Sequence, residues 1–190
     1  MHLGPGLGEV HDAATAVLDY WFGELAPEQW FAKDDAVDRA CAERFGAMRD
    51  AVLASDALGW RSEPETMLAA ILLLDQMSRN IHRGAAEAFA ADPLAESLAH
   101  EAIDRGWVGT LPPERAKFLL MPLMHAEHAD AQALSVAHFA ALGEAYTLKF
   151  AEDHAEVIAR FGRFPGRNAA LGRESTAAEL AYLSQPGAGW

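Results

Sequence analysis

The sequence predicts an all-α, single-domain protein of packed antiparallel helical hairpins. Three observations carry this expectation. Apolar residues recur at helical spacing through most of the chain. Helix start and stop signals punctuate it at short intervals. Strand evidence is nearly absent, with no sustained alternation and no Asn-Gly or Asp-Gly hairpin signal.

In chain order, residues 1–10 are Gly/Pro-rich and read as a loose lead. Asp12–Phe22 places Val17, Leu18, Trp21 and Phe22 near a helical period, and Gly23 can stop it. Asp34–Ser55 carries an apolar stripe of Val37, Cys41, Phe45, Met48 and Val52. Ser62-x-x-Glu65 reads as a capping box opening a helix through Asn80. Asp92-Pro93 reads as an N-cap with proline in the first turn, and that helix runs to Arg105 with Gly106 as its stop. Pro112-Pro113 opens a helix carrying FLLMPLM, which Pro122 either kinks or splits. Two further helices, 129–142 and 145–161, are followed by Gly143 and Gly162. Thr176-x-x-Glu179 is a second capping box opening a short last helix, and 185–190 reads as a loose tail. The expected count is roughly eight to ten helices, and no repeat at the usual solenoid periods is evident.

The bulk numbers restrict function. With 190 residues, 51% hydrophobic and 23% charged, the chain has the composition of one soluble domain, residues 1–190. A formal charge of -13 argues against a nucleic-acid binder, since phosphate contacts need a basic surface, and against attraction to anionic membranes. The one cysteine, Cys41, lies on a core stripe and excludes an intramolecular disulfide. The N-terminus lacks the pattern of a secretory signal, and the longest apolar runs, MLAAILLL and FLLMPLM, are too short to span a bilayer. The chain therefore reads as cytoplasmic, with no membrane partner.

Three segments concentrate polar chemistry. In LLLDQMSRNIHRG an apolar helix ends in Asp75, Gln76, Arg79, Asn80 and Arg83, with Asp75 and Arg79 at the favourable i,i+4 spacing. In MPLMHAEHADAQ a second apolar run ends in His125, Glu127, His128 and Asp130. If the helix continues past Pro122, then Phe118, Met121, His125, His128 and Gln132 share a face. His125 and His128 could then chelate a metal, but a third ligand has no place in the pattern, so none is assigned. In RFGRFPGRNAALGR four arginines cluster in a chain with fifteen Lys plus Arg against twenty-eight Asp plus Glu. Arg160 closes a helix, while Arg163, Arg167 and Asn168 sit on backbone broken by Gly162, Pro165 and Gly166. Arginine offers a planar fork suited to carboxylate or phosphate. Each cluster has two open readings: a site, or ion pairs that lock helix ends.

No Walker loop, dinucleotide fingerprint, nucleophile elbow or H-E-x-x-H is present, and no cofactor is expected.

VLDYWFGEL, EQWFAKDD, LLLDQMSRNIHRG, FAADPLA, MPLMHAEHADAQ and ARFGRFPGRNAALGRESTAAEL, in this order, give the chain its resemblance to a bacterial family, "domain of unknown function 924". The resemblance runs from about residue 12 to 183. It implies an all-helical fold with a tetratricopeptide-like superhelical arrangement, and it implies no reaction. Against the family's pattern, Ser78 stands in place of Pro, Ala126 of Ser and Gly166 of His. If that His took part in chemistry, Gly166 removes it.

The leading expectation is a binding module whose inner pocket holds a small anionic molecule or a peptide carboxylate. Its candidate residues are Asp75, Arg79, Asn80, Arg83, His125, Glu127, Arg160, Arg163, Arg167 and Asn168. The alternative is an enzyme with His125 as general acid or base, Glu127 or Asp75 orienting it, and arginines stabilising negative charge. The third is a scaffold in which the polar clusters only lock helices. Oligomeric state is not legible.

Overall fold

Helices make up the fold, and a computed structural model describes residues 7–189 of the chain. Among the described residues there is no strand. The elements are α1 (Leu7–Asp19), α2 (Asp35–Ala54), α3 (Pro64–Ile71), α4 (Ser78–Ile81), α5 (Asp92–Asp104), α6 (Pro113–Met124), α7 (Ala129–Leu142), α8 (Ala145–Phe161) and α9 (Ala177–Leu183). The lead is shorter than expected, because α1 begins at Leu7; residues 1–6 of that expected lead lie outside the described residues.

The central element is the run from Pro64 to Ile81. It is one helical rod in which α3 passes into α4 through a π-helical stretch, Leu72–Met77. Met67 to Leu74 are fully buried, as a helix apolar on every side requires. α2 packs against the π stretch and α4, α1 against α3, and α5 and α6 against α3. The short connections between α5, α6, α7 and α8 make these neighbours pack in sequence. An aromatic group closes the α1 end: Trp21, Phe22 and Trp30 meet Phe118 of α6 edge to face, and Trp30 Nε1 donates to Trp21 O at 2.7 Å.

Two sequence expectations are corrected. The Ser62 capping box does not form; Glu63 holds the N-cap position without a side-chain bond, and Pro64 starts the helix. In α2 the buried stripe takes Arg49 rather than Met48, because Arg49 Nε donates to Ser78 Oγ at 2.9 Å and Nη2 to Glu87 O at 3.2 Å. The Ser78 hydroxyl donates in turn to Leu73 O, a carbonyl of the π stretch. The Thr176 box does form: Thr176 Oγ1 accepts from Glu179 N at 3.2 Å, and Glu179 Oε2 accepts from Thr176 N at 2.7 Å.

α6 runs through Pro122 and stops two residues later at Met124. Gln132 of α7 caps that end, its Nε2 donating to Met124 O at 2.8 Å and Ala126 O at 2.7 Å. His125 is thus a C-cap residue and His128 the N-cap of α7, so the two do not share a helix face. Gly162, at φ 69, turns the chain out of α8 in the left-handed conformation that suits glycine. The segment after it folds back over the end of α6 and the start of α5, and packs α9 onto the turn Pro165–Arg167. No helix among the described residues is long and apolar enough to cross a membrane.

The two capping boxes make separate predictions. Thr176→Ala is expected to lower stability by about 1 kcal/mol. Ser62→Ala is expected to leave it unchanged, because no cap bond is lost. Urea unfolding followed by circular dichroism checks both.

Candidate functional site

Asp75 is the innermost charge of the molecule, at 0% exposure. It lies in the π stretch, where an extra residue per turn carries its carboxylate toward the end of α6. Its Oδ1 meets His125 Nδ1 at 2.7 Å and Arg79 Nη1 at 3.0 Å, and its Oδ2 accepts from Gln76. Burial alone would raise the Asp75 carboxyl, but the Arg79 charge and His125 outweigh it and hold the group well below the usual carboxylate range.

Arg79 extends the network. Its two terminal nitrogens reach Asp92 at 3.0 Å each, and Nη1 also donates to Asp75 O at 2.8 Å. Asp92, at the start of α5, does not cap that helix as expected; its carboxylate serves arginines. The second of these is Arg167, whose Nη1 donates to Asp92 Oδ2 at 3.1 Å and Nη2 to His125 O at 2.8 Å. Arg167 is 6% exposed, with its guanidinium between the rings of Phe89 and Phe164 at 4.7 and 4.6 Å. Its Nε is buried and has no hydrogen-bond partner. Burial and the neighbouring Arg79 push it down to about 10 against the pull of Asp92, so it stays charged at neutral pH.

His125 sits between these groups. With Asp75 ionised, Nδ1 is the donor of their bond. Nε2 makes no hydrogen bond among the described residues, and the side chain keeps 16% of its surface exposed. The ring of His154 lies 6.0 Å away. His154 Nδ1 pairs with Phe150 O at 2.7 Å, and burial together with His125 lowers His154 to about 3.

The other candidates fall into separate groups. Arg83 pairs with Asp38 of α2 through two bonds at 2.6 and 2.7 Å, and Asn80 joins the same carboxylate at 2.8 Å. Glu127 accepts from Arg173 at 2.7 and 2.9 Å and from Phe164 N at 2.6 Å, and these donors hold it low against its burial. Asn168 steadies Arg173 Nε at 2.9 Å. Arg163 grips Glu179 at 2.7 and 2.9 Å. Arg160 is exposed beside Phe161, on a shallow groove shared with Arg163 and Glu179. His128 turns outward to Glu96 at 2.6 Å. No group of three His, Cys, Asp or Glu side chains placed to hold a metal exists among the described residues.

One expected arrangement therefore divides. Asp75, Arg79, His125 and Arg167 meet, bringing together one residue or more from each polar segment. Asn80, Arg83, Glu127, Arg160, Arg163 and Asn168 stand outside that cluster. Sequence reasoning missed Asp92, Arg173 and Glu179 as partners. Asp92 looked like a cap, and a cap signal hides a carboxylate that tertiary packing redirects. Arg49 was also missed, although its spacing from Phe45 and Val52 puts it on the buried face of α2.

Comparison with known proteins shows the family and the fold. The family model "Bacterial protein of unknown function (DUF924)" matches residues 17–187. A solved protein of unknown function from Agrobacterium tumefaciens is similar at 38% identity and a TM-score of 0.87, covering 92% of this chain and 98% of its own. No curated protein matches.

Acid should act on the fold in two steps. The unfolded chain protonates His154 near pH 6.5, whereas folded His154 resists until about 3. Stability is thus expected to fall as pH drops through that window, and His154→Gln should flatten it. Asp75, depressed in the fold, adds stability above its unfolded value of about 3.9, and this is lost as pH falls below it. Asp75→Asn should remove that lower step and lower stability at neutral pH, because two guanidiniums, Arg79 and Arg167, are then left to the one carboxylate of Asp92. Urea midpoints measured across pH check both steps.

Proposed function

The chain belongs to the bacterial DUF924 family, and we propose that it binds a small anionic ligand or a peptide carboxylate at the Arg79–His125–Arg167 cluster. A cytoplasmic setting accords with its single cysteine and short apolar runs.

The observation that carries this reading is a shortage of acceptors. Two guanidiniums, each with five N–H donors, meet the carboxylates of Asp75 and Asp92, and of these only Asp92 reaches Arg167. Arg167 turns to a backbone carbonyl for a further bond, and its Nε is left buried without any. Buried donors without partners are rare and call for an explanation, a missing ion among them. An acceptor-only group such as a carboxylate supplies what the cluster lacks. Arg83, Arg163 and Arg173 have full carboxylate partners and act in this reading as locks between helices. The peptide form of the reading draws on the tetratricopeptide-like arrangement that the family resemblance implies, and that is analogy of fold.

One observation favours a second reading, general acid–base chemistry by His125. A buried carboxylate holds Nδ1 at 2.7 Å and fixes a ring that keeps part of its surface exposed, which is how a general base is oriented.

Thermal shifts test the binding reading. Wild type is expected to gain melting temperature with benzoate or a free-carboxylate tripeptide, and less with the amidated peptide. At a hundredfold excess over Kd the gain corresponds to about 2.7 kcal/mol. Arg167→Met should abolish the response, and Arg83→Met should retain it. A flat response across acetate, benzoate, inorganic phosphate and peptide would refute the site and leave a scaffold.

A further inference from the structure

A groove between the end of α8 and α9 is open to solvent and shares no lining residue with the Arg79–His125–Arg167 cluster. Arg160, Phe161 and Arg163 come to it from α8 and the turn after it, and Thr176, Ala178 and Glu179 from α9 and its cap. Its volume is about 560 Å³, within the roughly 300–1,000 Å³ of sites for small organic molecules.

One side of the groove is fixed before any ligand arrives. Glu179 is 2% exposed and both of its oxygens are engaged. Oε1 accepts from Arg163 Nε at 2.7 Å, and Oε2 accepts from Arg163 Nη2 at 2.9 Å and from Thr176 N at 2.7 Å. Arg163 Nη2 also donates to Glu174 O at 2.9 Å. Arg160 is left over. It is exposed and makes no hydrogen bond or ion pair with any described residue. Its guanidinium lies 4.7 Å from the centre of the Phe161 ring, a contact that favours this position over free solvent. Arg160 also stands in the last turn of α8, where a cation complements the helix dipole. That role needs its charge and uses none of its five N–H donors. Arg163 Nη1 and the Thr176 hydroxyl likewise donate to no described residue.

Hydrogen bonding and charge point to one kind of ligand. The unused donors call for a group that only accepts. The lining charges, Arg160 and Arg163 against Glu179, sum to one positive charge. Glu156, one turn before Arg160, and Glu174 form no ion pair with either arginine. A carboxylate brings one negative charge and two coplanar oxygens that match a single guanidinium fork. A phosphate monoester brings about −1.5 to −2 at neutral pH, more than the groove offsets in a chain of charge -13. The volume leaves room for an organic body beyond the carboxylate.

We propose that this groove is a second anion site, which binds an organic monocarboxylate with its two oxygens on the Arg160 guanidinium. Free organic acids and the carboxy terminus of a peptide share this chemistry. The site stands independently of the cluster around Arg167, and no bond of the ligand breaks.

Proton–nitrogen correlation spectra of the backbone amides test this, with benzoate titrated at a constant ionic strength of about 0.15 M. The expected result is saturable shifts at Phe161, Gly162, Thr176 and Ala178. They should persist in Arg167→Met, which disables the first site. They should persist also in Arg39→Gln, which removes an equal charge from an exposed position on α2. Arg160→Gln should raise Kd about tenfold or more, and its fold is kept because Arg160 has no partner to lose. Wild-type spectra suffice if Arg167→Met does not fold, since the two sites report through different amides. A free-carboxylate tripeptide and its amidated form separate the two sources. Binding of the free tripeptide tighter than benzoate supports the site and assigns it to peptide termini, and the reverse order supports it and assigns it to small acids. Shifts confined to the surroundings of His125 and Arg167 would overturn this site and leave the first standing. Equal weakening in Arg39→Gln and Arg160→Gln would reduce the effect to net charge and overturn it as well. Inorganic phosphate binding more tightly than benzoate would overturn the ligand class.

Discussion

A carboxylate with no exposed surface, Asp75, sets the terms for the rest of the molecule. It follows a run of the central helical rod, Met67 to Leu74, that is apolar and buried on every side. An ionised group there costs several kcal/mol unless its lone pairs are met. Arg79 and His125 meet them, and each then needs a place. Arg79 finds Asp92 at the start of α5, and Asp92 draws in Arg167 from beyond α8. The contact between Arg167 and Asp92 joins residues 75 apart in sequence. Order thus spreads outward from one buried charge through alternating acids and bases, until the last segment of the chain is tied to the first half.

The arginines of this acidic chain sit where the acids of other helices need them. Asp38 on α2 meets Arg83, Glu127 between α6 and α7 meets Arg173, and Glu179 on α9 meets Arg163. Their use lies in position, because each joins residues 16 to 46 apart in sequence. The segment after Gly162 shows it best. Its Phe164 packs with Val157 and Ile158 of α8 in a small apolar group separate from the main core, and polar ties carry much of its attachment. The cluster around His125 differs from these locks in having donors to spare.

Helical period, proline and glycine placement made the helices legible, because local physics sets each of them. The Thr176 box was readable for the same reason: both of its bonds lie within four residues. Legibility failed where a distant partner redirected a local signal. Asp92 had the neighbours of an N-cap but is held by Arg79 and Arg167. Ser62 had the spacing of a box, yet Pro64 started the helix two residues on. For the site, the sequence identified three polar segments, and three of them do meet at His125. It could not say which arginines would be consumed by Asp38, Glu127 and Glu179, since those pairings depend on packing between helices. The metal pairing of His125 with His128 lost its geometry when α6 stopped at Met124.

The π stretch Leu72–Met77 has a consequence for the phase of the rod. In a regular α-helix each residue advances by about 100°, so the facing of every later side chain follows from the earlier ones. The wider turn breaks that bookkeeping once. Residues before it point by one register, set by the burial of Met67 to Ile71. Residues after it point by another, which aims Arg79 at Asp92 and Asn80 at Asp38. The bulge acts as a rotary offset, letting one straight element serve an apolar packing code and a polar pairing code that a uniform helix could not satisfy together. Loss of a single residue from this stretch would turn everything beyond it by nearly a third of a circle.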